Sequence, residues 1–199
     1  MLRLFGYDMD NAPSLDNTDN EVIAAVRCWV ETFVIGMNLC PFAKRELVKD
    51  RIRFVATAAV TEAHLLQVLQ AELELLNTDA AIETTLLIHP QVLQDFYTYN
   101  NFLNVADALL VSLELEGVYQ IASFHPDYQF GGTEQDDVEN YTNRAPYPVL
   151  HILRESSIEQ VIASYPSVDD IPERNIALMN ALGRKYLQTV FKACLNRSA

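Results

Sequence analysis

Apolar residues recur at helical or strand spacing along nearly the whole chain. Val22, Val26, Trp29, Phe33 and Met37 share one helical face, with Ile23, Val30 and Val34 beside it. A capping-box spacing, Thr18-x-x-Glu21, precedes them. The pattern predicts a helix buried on a broad side that weakens at Gly36 and Asn38. Pro41 suits the first position of a new helix, so a short one is predicted through Lys44 to Lys49. Arg51 to Thr57 reads as a strand, and Thr61 to Asn77 as a helix with Leu65, Leu66, Leu69, Leu73 and Leu76. Ile82 to His89 is a strand stopped by Pro90, followed by a long helix from Val92 to Leu115 that Gly117 breaks. Val118 to His125 is a third strand, stopped by Pro126, and Pro148 to Arg154 a fourth. Helices over Ser156 to Ser164 and Ile171 to Asn196 close the chain.

Strands one to three alternate with helices, which favours parallel pairing through helical crossovers. The third and fourth are joined by a polar loop, Asp127 to Tyr147, with no crossover helix, so they are expected to pair antiparallel. The expected fold is α/β, a mixed four-stranded sheet flanked by helices, with a ferredoxin-like sandwich as runner-up. Residues 1–17 read as a flexible acidic lead-in and residues 18–199 as one globular domain.

Composition narrows the function. The 199 residues are half apolar, enough for one substantial core. Acids outnumber bases 27 to 14, a net charge of −13, which argues against nucleic acid or an acidic membrane as partner. No apolar run approaches the roughly 20 residues that cross a bilayer. Three scattered cysteines, Cys28, Cys40 and Cys194, form no disulfide framework. A cytoplasmic location is expected. Between Phe54 and Asn143 there is no lysine or arginine, so Arg144 ends a long basic-free stretch.

The candidate chemistry sits at strand ends. His89 and His125 each close a strand before a proline, which removes a backbone donor and holds the histidine extended. With parallel strands, both emerge on the carboxyl edge of the sheet, where open α/β sheets bind ligands. An antiparallel fourth strand returns His151 and Arg144 toward that edge, and the long loop is placed to cover them. Histidine near neutral pH suits acid/base work, and Arg144 and Arg154 offer planar forks for a carboxylate or phosphate. In a regular strand, however, Arg154 faces opposite to His151. The blander alternative is that the two strand-ending histidines hydrogen-bond loop backbone. A divalent metal such as zinc on His89, His125 and His151 is another, less favoured because no His-x-His or His-x-x-x-His pair exists. Cys40, before Pro41 and one turn from Lys44 and Arg45, is placed as a helix-capping thiol, or else as a buried apolar residue.

Three stretches together carry a resemblance: WVETFVIGMNLCPFA (residues 29–43), IASFHPDYQF (121–130) and NRAPYPVLHILRE (143–155). They resemble the bacterial domain of unknown function 1415 family, and the likeness runs from about Ala24 to Gly183. The family lends no activity. The resemblance gives emphasis to Cys40, His125, Tyr128, Asn143, Arg144, Tyr147, His151 and Arg154.

The leading expectation is an enzyme acting on a small anionic molecule at a His/Arg pocket on the sheet edge. His125 and His151 would do proton transfer beside Cys40. Arg144, Arg154, Asn143, Tyr128 and Tyr147 would hold the ligand. The alternatives are a non-catalytic metabolite-binding or interaction protein and a histidine-ligated metalloprotein.

Overall fold

Short apolar strands bounded by prolines and capped helices assemble into one sheet with helices on both faces. The computed structural model describes residues 17–164 and 168–196, so most of the acidic lead-in lies outside the described residues. Helix α1 (Asn17–Trp29) continues as a π-helical stretch over Val30–Ile35. A short α2 (Ala43–Val48) leads into β1 (Ile52–Ala56). Then follow α3 (Glu62–Thr78), β2 (Thr84–Ile88), α4 (Phe96–Ser112) and β3 (Tyr119–Phe124). β4 (Val149–Arg154) runs straight into α5 (Glu155–Ser164), and α6 (Ile171–Leu195) follows.

The strand order is β1-β2-β4-β3. β1 and β2 pair parallel, while β4 is antiparallel to both β2 and β3. The mixed sheet and the antiparallel β3–β4 pair are those expected from the sequence. The insertion of β4 between β2 and β3 was not legible there.

Period-2 alternation divides the core. Leu86, Ile88 and Val149 face α1 and α6, in a cluster with Trp29, Phe33 and Met179. Leu87, Leu150 and Ile152 face α3 and α4, packed on Leu69, Tyr99 and Ala106. Both faces are covered because the strands alternate between two apolar layers.

Three expected boundaries shift for physical reasons. The first helix does not run uniformly to Met37: the π-helical register begins at Val30. α4 starts at Phe96, because the Asp95 carboxylate accepts from the Thr98 N–H and caps it there. α6 is interrupted at Gly183, whose φ of 74° and ψ of 157° only glycine adopts without strain.

Candidate functional site

The carboxyl edge of the sheet is a knot of backbone hydrogen bonds. His89 leaves β2 with its Nδ1–H donating to Val92 O (3.0 Å). His125 leaves β3 with Nε2–H donating to Leu93 O (3.2 Å), and its Nδ1 accepts from the Asp127 N–H (3.0 Å). Carbonyl oxygens only accept, so both tautomers are fixed. Between the rings stands Tyr99 of α4, whose hydroxyl donates to Val149 O (2.7 Å) and accepts from Phe124 N–H (3.0 Å). Together the imidazoles hold the turn after β2, including Leu93 at a φ of 57°. Both histidines are fully buried. Burial pushes His89 down to about 4 and lowers His125 as well, so both rings are neutral at physiological pH. This is the geometry of two strand-terminating histidines that hydrogen-bond loop backbone.

The arginines do not join them. Arg144 donates to Tyr128 O (3.2 Å) and Gln135 O (2.6 Å) and lies over the Tyr141 ring, fastening the 127–147 loop to itself. Asn143 donates to Ser123 O (3.3 Å), Tyr128 packs on Phe96 and Phe130, and Tyr147 packs against the α1–α6 core. The loop's 3-10 turn, Val138–Thr142, lies on α6 instead of covering a sheet-edge pocket.

Arg154 is at the opposite end of the sheet, opposite Tyr119 in register. Its guanidinium donates to the Tyr119 hydroxyl (2.9 Å) and to the carbonyls of Leu76, Asp79 (3.3 Å) and Ile82 (3.1 Å). These carbonyls belong to the end of α3 and the approach to β2, and that of Asp79 also accepts from the Ile82 N–H (3.4 Å). Replacing Arg154 with alanine is expected to cost about 3 kcal/mol in urea denaturation, since several carbonyls lose a charged donor at once. A loss below about 1 kcal/mol would show that water replaces it freely.

His151 is separated from the other two histidines by the sheet itself. It lies in mid-strand, opposite Leu86 and Ala122, on the α1-facing side. The expected union of His89, His125, Arg144 and His151 under the loop therefore does not form. The metal alternative meets the same obstacle: among the described residues no three His, Cys, Asp or Glu side chains are grouped to hold a metal ion.

What His151 lines instead is a cavity of about 390 Å³ on the sheet face. Its floor is Leu86, Ala122, Phe124 and His151; Trp29 and Val34 wall it from α1 and the π-helical stretch. Cys40 and Phe42 flank it beside α2, and Ile158 and Ile162 of α5 close the far side. His151 Nε2 is 2.7 Å from Thr84 Oγ1, and that hydroxyl donates to Ile152 O (2.6 Å). Burial holds the His151 imidazole down at about 4, hence neutral. Cys40 precedes the cap residue Phe42 by two positions, so it does not cap α2 as expected.

A charged cluster rims the cavity. Arg45 pairs with Glu46 (2.5 Å), Arg51 with both Glu46 (3.3 Å) and Glu83, and Ser157 donates to Glu83. The sequence reading missed this cluster and Thr84. It also read Trp29 only as core. The usable signal was strand parity, which put His151 on one face with Val149 and Leu153.

Residues 21–189 match the family model described as Protein of unknown function (DUF1415). No curated protein and no solved structure matches the chain.

Proposed function

We propose, taking as premise that the chain belongs to the DUF1415 family and inherits no activity from it, that the protein binds a small, mainly apolar molecule in the cavity floored by His151. The observation that carries this reading is the cavity itself: about 390 Å³, within the range of small-molecule sites, apolar on most sides and holding one neutral imidazole. A few convergent polar groups in an apolar pocket are what orient a ligand.

The small anion expected from the sequence has less support. Arg144 and Arg154 direct their donors to backbone carbonyls, and Arg45 and Arg51 are paired with acids. His125 has both ring nitrogens engaged. Of the expected set, His151, Cys40 and Arg154 line the cavity, and Arg154 turns its donors away to the Tyr119 hydroxyl and backbone carbonyls. Among the described residues no helix is long and apolar enough to cross a membrane. The three cysteines are thiols, as a reducing compartment such as the cytoplasm keeps them.

Cys40 supplies the test, because it is partly exposed while Cys28 and Cys194 are buried. Iodoacetamide labelling at Cys40, followed by mass spectrometry, is expected to slow severalfold when 1-methylnaphthalene fills the cavity. Unchanged labelling up to the solubility limit of the probe would reject the cavity as its site.

A further inference from the structure

We infer that the cavity selects a neutral molecule carrying a hydrogen-bond donor, and that Nδ1 of His151 receives that donor. The inference rests on the cavity being the ligand site and adds the chemistry of the ligand's polar group.

Thr84 has one hydroxyl proton, and it goes to Ile152 O. The same oxygen lies 2.7 Å from His151 Nε2, so it accepts, and Nε2 carries the imidazole proton. Nδ1 is left with a lone pair. Among the described residues no hydrogen bond satisfies it, and the ring lines the cavity. An acceptor in a cavity with mainly apolar walls favours a ligand that brings a donor over one that offers only C–H there.

The sign of the ligand's charge follows from the surroundings. Burial keeps the imidazole neutral, so it does not attract an anion, and a carboxylate at Nδ1 would set lone pair against lone pair. The rim adds two carboxylates, Glu46 and Glu83, paired with Arg45 and Arg51, and Arg154, which also lines the cavity, directs its donors to the Tyr119 hydroxyl and to backbone carbonyls. A cationic head would have to shed its water between Leu86, Ala122 and Phe124. A neutral hydroxyl or amide N–H meets neither obstacle.

Three probes of one size class separate these cases: 1-naphthol, 1-methylnaphthalene and 1-naphthoate, titrated calorimetrically into the full chain at pH 7. 1-Naphthol is expected to bind about threefold to tenfold more tightly than 1-methylnaphthalene, the worth of one hydrogen bond. 1-Naphthoate is expected to bind most weakly. In His151→Phe the advantage of the hydroxyl should vanish while 1-methylnaphthalene still binds. A measurement that needs no variant accompanies it. In histidine-labelled wild-type protein the ¹⁵N shift of His151 Nδ1 should report an unprotonated nitrogen that moves on adding 1-naphthol. Equal binding of the two neutral probes, tightest binding of 1-naphthoate, or a protonated Nδ1 in the free protein would overturn the inference while leaving the cavity reading standing. If none of the three binds, both fall.

Discussion

Moving the protein from pH 7 to pH 4.5 is expected to remove about 5 kcal/mol of folding stability through His89 and His151 alone. Each has a folded-state value of about 4 against an ordinary 6.5, and the cause in both is burial of a ring that cannot afford a charge. The unfolded chain takes up these protons as pH falls through 6.5, and the folded chain refuses them until about 4. Stability is therefore complete above pH 6.5 and drains away as pH falls toward 4. His125, also lowered by burial, adds in the same direction. The loss is comparable with the whole stability of many domains, about 5–15 kcal/mol. The acidic excess does not rescue the fold in this window. A net charge of −13 repels itself, but carboxylates stay largely ionised until pH nears 4. Urea midpoints measured at half-unit steps should fall steeply below pH 6.5, with two to three protons taken up on unfolding. A flat profile between pH 7 and 5 would mean that these rings are not buried neutral.

Substitution of Ala122 by phenylalanine is expected to weaken binding of 1-methylnaphthalene about tenfold to hundredfold while costing little stability. Ala122 lies on the cavity floor directly opposite His151 in the β3–β4 register. A larger side chain there grows into open space and not into packed neighbours, so the usual penalty of an overfilled core is avoided. Phenylalanine also suits a strand. The affinity loss arises because the ring takes volume the ligand would occupy. Calorimetric titration of the variant, beside its urea midpoint, separates the two effects. Wild-type affinity in a folded variant would show that the probe binds elsewhere.

The fold was legible as far as local pattern reaches. Alternation of strand and helix marked β1 to β3 as parallel, and the loop without a crossover marked β4 as antiparallel. The place of β4 in the sheet was hidden, because non-local pairing depends on which edges meet, not on any residue within the strand. The site was legible only in part, and Arg154 shows why. Its parity was readable, but its partners are the carbonyls of Leu76, Asp79 and Ile82, and a carbonyl has no sequence signature. His89 and His125 ended strands on one edge as expected, yet His89 Nδ1 and both nitrogens of His125 meet the backbone of the turn after β2 and of Asp127. The cavity was invisible for a further reason. It exists where small residues such as Ala43 and Ala122 leave space between elements far apart in the chain.

The central claim is that the cavity floored by His151 is where a small molecule binds. Trp29, the only tryptophan in the chain, walls that cavity. Its indole N–H therefore gives a single side-chain signal in a ¹H–¹⁵N spectrum. On titration with 1-methylnaphthalene the signal is predicted to shift saturably in the wild type and to shift far less in Ala122→Phe. A signal that stays fixed in the wild type, or moves equally in the variant, would contradict the account.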